Sequence, residues 1–297
     1  MTNPDDDDDD AFWSVAMMSG ADERLLQVHD ESDDFDVDAR WKTIKTPSPD
    51  PLDQPLVLRI CENAAYGCLS DVSSNVWDAS LLLAGFLYGI SEGRQLCYNA
   101  CFGQESTNVD KGGILELGSG LGLSGLAAAA AASALAKYDH HERTSRVVLT
   151  DLNNDDILSL LRQNVETNLS AIIGKERRLH ISVEPLDFCD MQAGSSNNCC
   201  PAGTFNLIVG SELVYVPEHV ACADTISHYL CRNALSQAII LQIPDRAGFD
   251  AFLSRCRELD LLVSSRAVSE DITLNTEEEV PSASDYRMYF IRKLKSD

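Results

Sequence analysis

A short apolar strand that runs directly into three alternating glycines constrains this chain more than any other feature. The stretch reads Ile114-Leu115-Glu116-Leu117-Gly118-Ser119-Gly120-Leu121-Gly122. Glycine permits a tight turn and lets a ligand lie against bare backbone. An Ala-rich helix is predicted over 121–137, and the free N–H groups at a helix start can hold a carboxylate or a phosphate. The stretch therefore predicts a strand, a ligand-binding turn and a helix in direct succession.

After residue 113 the chain alternates between short apolar runs and helical patterns. Strands are predicted over 113–117, 146–150, 179–184, 205–210, 236–243, 261–268 and 285–294, and helices over 121–137, 155–169, 219–233 and 247–259. Strands that alternate with helices predict an α/β fold, a parallel sheet with helices on both faces. The last two strands have no long helix between them, so we expect an antiparallel finish.

The N-terminal region differs in composition, and we predict a disordered acidic tail over 1–53 followed by one domain over 54–297. The tail carries sixteen acidic and four basic residues, among them the run Asp5 to Asp10. Such charge density opposes folding. The apolar stretch 11–20 is either a partner-binding helix or part of the tail. Deleting residues 1–50 is expected to leave cofactor affinity unchanged.

Between the tail and the glycine-rich turn the pattern is less regular. We predict strands over 56–60 and 66–69, then a helix that begins near Ala79 and runs to about residue 89. The polar stretches 91–112 and 192–204 are predicted to be loops.

Composition excludes several classes of function. The chain has 23 basic and 47 acidic residues, a net charge of −24, which argues against nucleic acid as the main partner. There is no apolar run of about 18 residues, so no membrane span is expected. The ten cysteines form no CxxC pair and the six histidines do not lie at zinc spacings beside them, so we predict reduced thiols and no metal site. We expect a cytoplasmic or nuclear protein.

Two common meanings of a glycine-rich turn do not apply. The dinucleotide fingerprint GxGxxG needs a glycine where this chain has Leu123. A phosphate-binding P-loop needs Gly-Lys followed by Ser or Thr, and the chain contains no such triplet. What remains is an acid-x-Gly-x-Gly-x-Gly pattern.

Three later strands also end in polar residues or are followed by them. Asp151 follows the second strand and is placed to bind ribose hydroxyls or to cap the next helix. Asp187 and Phe188 follow the third strand and either bind adenine or serve as a turn acid and a buried ring. Glu212 and Tyr215 follow the fourth strand, three residues apart, and are expected to face the crevice that the glycine turn lines.

Taken together, these motifs resemble family 16 of the seven-strand class I methyltransferases, which are mostly protein-lysine methyltransferases. The resemblance covers roughly residues 56–294 and rests on motifs in the family's order: Val76-Trp77-Asp78-Ala79, Glu116 to Gly122, Thr150-Asp151-Leu152, Asn164 with Asn168, Leu186-Asp187-Phe188 and Ser211-Glu212-Leu213-Val214-Tyr215. The family often has Asp where this chain has Glu212 and Trp where it has Phe188. The resemblance implies a doubly wound, Rossmann-like sheet of seven strands with an antiparallel last strand.

The resemblance also implies a cofactor, S-adenosylmethionine (SAM), with S-adenosylhomocysteine as its product. Glu212 and Tyr215 would border the acceptor channel as the catalytic pair, with Glu212 binding and orienting the lysine. The implied cofactor-binding residues are Trp77, Glu116, Gly118, Ser119, Gly120, Gly122, Asp151, Leu152, Asp187, Phe188 and Ser211.

The implied function is methyl transfer to a lysine amine of a protein substrate by a monomeric enzyme. A basic, lysine-presenting partner would suit the acidic tail, which is otherwise simply a solvated end. Two rivals stay open: a methyltransferase for arginine or a small molecule, and a catalytically silent SAM-binding module.

Overall fold

The computed structural model describes residues 39–50, 53–63, 75–103, 112–138, 143–173, 178–190, 200–269, 272 and 282–294. Its helices are α1 Asp78–Gly89, α2 Ser91–Phe102, α3 Leu123–Ala136, α4 Asp155–Ile173, α5 Cys222–Tyr229 and α6 Phe249–Glu258. Its strands are β1 Ala39–Thr46, β2 Leu56–Asn63, β3 Ile114–Glu116, β4 Ser145–Asp151, β5 Leu179–Pro185, β6 Leu207–Ser211, β7 Gln237–Gln242, β8 Leu261–Ala267 and β9 Arg287–Lys293. Short 3₁₀ turns lie at Pro217–Ala221 and Ala283–Asp285.

Seven strands form the main sheet, in the order β5-β4-β3-β6-β7-β9-β8. Strands β3 to β7 pair in parallel, and β9 runs antiparallel to both of its neighbours. The predicted fold class, with its antiparallel last strand, is confirmed. The chain leaves β3 towards β4 on one side and later returns to β6 on the other. The carboxyl ends of β3 and β6 therefore bound the crevice where open α/β sheets bind ligands.

Helix α2 corrects the prediction of a loop over 91–112, which is wrong for Ser91–Phe102. The helix is polar on average, but small residues recur on one face at Gly93, Cys97 and Ala100, all buried. A Cβ on Gly93 would lie 2.1 Å from the Phe86 carbonyl oxygen, so only glycine allows α2 to follow α1 this closely. Residues 104–111 of the predicted loop lie outside the described residues.

The hairpin β1–β2 corrects the predicted tail. Ala39–Thr46 was assigned to the tail over 1–53, yet it pairs antiparallel with β2 in a separate two-stranded sheet. Charged residues on β1 hide its strand pattern, but Ile44 is buried with Leu58 and Ile60 of β2 against the main domain. The predicted strand 56–60 is confirmed within β2. Residues 1–38 and the predicted strand 66–69 lie outside the described residues.

Two asparagines of α4 attach the hairpin to the domain. The Asn164 amide accepts from the Cys61 N–H at 2.7 Å and donates to the Cys61 carbonyl at 3.2 Å. The Asn168 amide pairs in the same way with Arg59, at 2.8 and 2.7 Å. Residues four apart on a helix are spaced like alternate residues on a strand. The two side-chain amides can therefore make the hydrogen bonds to the β2 backbone that a neighbouring strand would make. Asn164 also donates to the Leu121 carbonyl at 3.2 Å, which links the hairpin to the glycine-rich turn.

The remaining predicted elements are confirmed with shifted ends. The helix predicted over 219–233 consists of the 3₁₀ turn Pro217–Ala221 and α5, and it ends at Tyr229. Of the predicted loop 192–204, residues 200–204 contain no helix or strand and the rest lies outside the described residues. None of the helices in the described segments is long and apolar enough to cross a membrane.

Candidate active site

The turn after β3 is built from backbone that favours glycine. Gly118, Gly120 and Gly122 have φ values of 57°, 50° and 81°, in the left-handed region that strains residues carrying a Cβ. The Gly122 N–H donates to the Ser119 carbonyl at 2.7 Å and closes the turn. The Ser119 hydroxyl accepts from the Thr150 N–H at 2.9 Å, so the turn is fastened to β4.

Gly118 brings together residues from three predicted motifs. A Cβ at this position would lie 3.0 Å from Leu213 Cδ2 and 3.4 Å from Phe188 Cε1. The structure therefore places Phe188, predicted from the third strand, directly against the glycine-rich turn. Leu213, from the segment after β6, packs at the same point.

Glu116 lies beneath the turn and is 3% exposed. Its Oε1 accepts from the Gly125 N–H in the first turn of α3 at 2.9 Å, while Oε2 has no hydrogen-bond partner among the described residues. Burial raises the pKa of this carboxyl to about 8, against the opposing effects of the Ser119 hydroxyl and the Gly125 N–H. Glu116 thus connects the end of β3, where the glycine-rich turn begins, to the first turn of α3 by a hydrogen bond.

Asp151 joins the end of β4 to the turn. Its carboxylate accepts from the Gly120 N–H at 2.7 Å and from the Leu152 N–H at 2.8 Å. Burial nevertheless raises its pKa. The alternative role as a helix cap falls to Asn154, whose side chain accepts from the Asp156 N–H at 2.9 Å at the start of α4. The Asp151 side chain is therefore hydrogen-bonded to the glycine-rich turn, and Asn154 takes the capping role at α4.

Asp187 and Phe188 have the positions of a turn acid and of a ring at the crevice, and their binding of adenine stays a prediction. Asp187 Oδ1 accepts from the Cys189 N–H at 2.8 Å and shapes the bend after β5. The half-buried Phe188 ring meets His219 edge to face, with 5.4 Å between ring centroids. Local turn geometry thus holds the Phe188 ring at the crevice, beside Gly118.

Ser211 ends β6, and Glu212 follows it in a strained conformation with a φ of 50°. The Glu212 carboxylate accepts from the Ile243 N–H and from Arg246 Nε, both at 2.7 Å. The side chain is 15% exposed, and burial raises its pKa despite these two partners. The carboxylate is therefore already paired with the segment after β7.

Tyr215 has different neighbours from Glu212, although the sequence predicts that they share one crevice. Its ring, 38% exposed, meets His219 edge to face at 4.3 Å. Burial raises the pKa of the phenol, and the charges of Asp151 and Cys189 add to the rise. His219, which the sequence analysis did not single out, donates from Nδ1 to the Leu213 carbonyl at 2.7 Å, and burial lowers its pKa.

Trp77 occupies the N-cap position of α1 without a capping hydrogen bond from its side chain, which is 44% exposed. The preceding residue, Val76, donates its N–H to Glu62 at 2.8 Å, and Glu62 pairs with Lys42 of β1 at 3.2 Å. The β1–β2 hairpin therefore positions the segment that carries Trp77. Leu152 is also exposed, at 48%, at the carboxyl end of β4.

Three further residues near this edge were missed because their partners come from distant parts of the chain. Buried Gln242 accepts from the Val214 N–H at 3.2 Å and donates to the Val214 carbonyl at 3.0 Å. Arg246 pairs with Glu212. Tyr286 precedes β9, and burial raises its pKa, with smaller contributions from the charges of Glu212 and Asp78. In the sequence, Gln242 could have been identified as a polar residue at the end of an apolar strand.

Comparison with known proteins identifies relatives of this arrangement. A family model described as lysine methyltransferase matches residues 54–251. The chain is similar to a calmodulin-lysine N-methyltransferase of Arabidopsis thaliana, 28% identical over 149 residues, covering 50% of this chain and 42% of that protein. It is also similar to the protein N-lysine methyltransferase METTL21A of Danio rerio, 26% identical over 173 residues, covering 54% and 61%. The chain spans about half the length of these relatives.

Among solved structures, one similar chain is the Thermus thermophilus 16S rRNA N2 G1207 methyltransferase RsmC, in complex with AdoMet and guanosine. The TM-score is 0.48 at 12% sequence identity, and the match covers 90% of this chain and 53% of that one.

Proposed function

The chain belongs to the lysine methyltransferase family, and we propose that it transfers a methyl group from SAM to the side-chain amine of a lysine in a protein substrate. The turn after β3 is the observation that carries the proposal. Its three glycines have left-handed backbone, Phe188 packs against it and Asp151 is hydrogen-bonded to it. A bare-backbone turn beside an acid at the switch point of a sheet suits a nucleoside ligand.

The residues at the crevice fit SAM. Gly118, Gly120 and Gly122 would form the floor, Asp151 would accept from the ribose hydroxyls with its remaining lone pairs, and Phe188 would flank the adenine. The side chains of Trp77, Leu152 and Tyr215 are exposed, and the bound ligand would cover them. When bound, SAM supplies an activated methyl group, so the protein mainly has to orient and desolvate the acceptor.

The acceptor amine must lose a proton before it can react, since a free lysine side chain titrates near ~10.4. An apolar channel favours the neutral amine, whereas an unpaired carboxylate would favour the ammonium. Arg246 compensates the Glu212 charge at 2.7 Å, so Glu212 opposes deprotonation less than its sequence position alone suggests. Glu212 shapes the channel edge, and Tyr215 orients the amine as a neutral phenol because its pKa is raised.

The partner is a protein that presents a basic segment. A net charge of −24 attracts cationic partners and repels nucleic acid. Relatives described as acting on protein lysines support this class of substrate. We place the protein, as a monomer, in the cytoplasm or nucleus.

The test is transfer of label from radiolabelled SAM into lysate proteins, followed by hydrolysis and identification of the methylated amino acid. Label in methyl-lysine that disappears with Gly120→Arg supports the proposal. Tyr215→Phe should slow labelling while binding of S-adenosylhomocysteine is retained, and the exposed Tyr138→Phe serves as the matched control. Label in methyl-arginine would overturn the acceptor assignment. Binding of the cofactor without any protein label would favour a small-molecule acceptor or a silent module.

A further inference from the structure

A second pocket, of about 430 Å³, lies at the amino edge of the main sheet. This is the edge opposite the glycine-rich turn, because β6 and β7 begin here and the antiparallel β9 ends here. The volume falls within the range of about 300–1,000 Å³ that small-molecule pockets occupy. The pocket is lined by Ala202, Gly203, Ser227, His228, Arg232 and Lys293.

Backbone pairing fixes the positions of these residues. The Gly203 N–H donates to the His228 carbonyl at 2.8 Å, and the Phe205 N–H donates to the Tyr229 carbonyl at 3.0 Å. These bonds hold the segment before β6 beside the last turn of α5. Lys293 is the final residue of β9 and is paired in register with Leu261 of β8. Ser227 and His228 thus lie in the last turn of α5 and Lys293 lies on β9, whereas Gly203 and Arg232 lie in turns beside them.

The pocket wall contains three basic side chains and no acidic one. In the part of the chain that the structure describes, neither Arg232 nor Lys293 forms an ion pair with a carboxylate. The neighbouring sequence 191–199 has no charged residue. The whole chain has 47 acidic and 23 basic residues, so a group of cations with no carboxylate partner among the described residues is unusual here.

The three basic groups also disfavour one another's charge. Burial lowers the pKa of Lys293, and the charge of Arg232 lowers it further. Burial likewise lowers the pKa of His228, with Lys293 adding to the effect. An anion in the pocket would reverse both effects, since an opposite charge favours the protonated forms.

We propose that this pocket binds the phosphate group of a small phosphorylated metabolite. Arg232 and Lys293 would provide charge-assisted hydrogen bonds to phosphate oxygens, and the Ser227 hydroxyl and protonated His228 would add two donors. The pocket volume exceeds that of a phosphate alone. A Cβ built on Gly203 would have no atom within 4 Å, so the organic part of the metabolite could lie beside this residue. The site lies on the opposite edge from the cofactor crevice and does not depend on the methyltransferase assignment.

The test is isothermal titration of the full chain with inorganic phosphate and with glucose 6-phosphate. The titration is run with and without S-adenosylhomocysteine, which would compete with an anion at the glycine-rich turn, and the variants below assign the binding to this pocket. Arg232→Gln and Lys293→Gln should each weaken binding about tenfold, the effect of one lost charge-assisted bond. Arg257→Gln, an exposed charge on α6, should bind like the unchanged protein. Uncharged glucose should not bind.

A second measurement follows the His228 ring by NMR, with His228→Gln assigning its signal. Its pKa should rise when phosphate is added. Tighter binding of glucose 6-phosphate than of inorganic phosphate would support a phosphorylated metabolite as the ligand. Equal binding of the two would overturn the claim that the pocket also recognises the organic part of the ligand. Undetectable phosphate binding, or equal binding in all variants, would overturn the site. The basic residues would then only stabilise the C-terminal end of α5, and Arg232→Gln would lower the unfolding free energy without any ligand effect.

Discussion

Gly122→Ala is expected to destabilise the fold severely, for two separable reasons. The residue has a φ of 81°, and a left-handed conformation costs an L-residue with a Cβ about 1–2 kcal/mol. The new Cβ would also lie 2.6 Å from Leu161 Cδ1 and 2.9 Å from Leu149 Cδ2. Both leucines are completely buried, so overpacking adds about 1–3 kcal/mol. The total loss of unfolding free energy is about 2–5 kcal/mol.

Gly203→Ala is the matched control, because it introduces the strain of a left-handed backbone without a steric overlap with neighbouring side chains. Gly203 has a φ of 63°, and a Cβ there would meet nothing within 4 Å. Only the conformational loss of about 1–2 kcal/mol is expected. Urea unfolding of both variants measures the difference, which the packing of Gly122 against β4 and α4 should make about 1–3 kcal/mol. Equal destabilisation of the two variants would refute the claim that the turn is tightly packed from behind.

Three further predictions concern the hairpin and the buried acid. Asn168→Ala should lower the unfolding free energy by about 1–3 kcal/mol in urea titrations, because it leaves β2 backbone groups unpaired. Deleting residues 1–38, which stay a predicted tail, should leave the thermal unfolding midpoint unchanged. Deleting 1–46 removes β1 and should lower both the midpoint and the affinity for S-adenosylhomocysteine measured by titration, which reverses the sequence-based expectation for deletion of 1–50. Glu116 has a folded pKa of about 8 against 4.5 ordinarily, so its stabilising contribution is complete below pH about 4.5 and is lost as pH rises to about 8. Unfolding measured across this range should show that decline, and Glu116→Gln should abolish it.

The sequence was sufficient to predict those elements whose residues are apolar in a regular pattern. Strands β3 to β7 are such elements, and their parallel pairing followed from the alternation with helices. Helix α2 escaped prediction because its buried face consists of small residues such as Gly93, which carry little hydrophobic signal. Strand β1 escaped because Lys42 lies on it, and the sequence does not show that this side chain, 10% exposed, pairs with Glu62 of β2. In both cases, packing between elements decided the structure.

For the candidate site, too, the sequence predicted the positions of residues but not their bonding partners. Positions at strand ends, such as Asp151 and Phe188, could be predicted because parallel strands present their carboxyl ends at one edge. Their bonding could not, because each partner belongs to another element: Asp151 holds the Gly120 N–H, and the Phe188 ring meets His219. A motif in one segment gives no information about which distant residue will fold against it.

The Glu212 carboxylate illustrates what this means for mechanism. Its position after β6 suggested a carboxylate that binds and orients a lysine ammonium. In the fold, Arg246 and the Ile243 N–H already occupy it, at 2.7 Å each. A paired carboxylate has less net charge to offer a cation, so we expect Glu212 to hold the loop after β7 in place more than it attracts a substrate. We therefore expect a basic partner to be attracted by the net charge of −24, and the proposed acceptor channel to favour the deprotonated amine because Arg246 compensates the charge of Glu212.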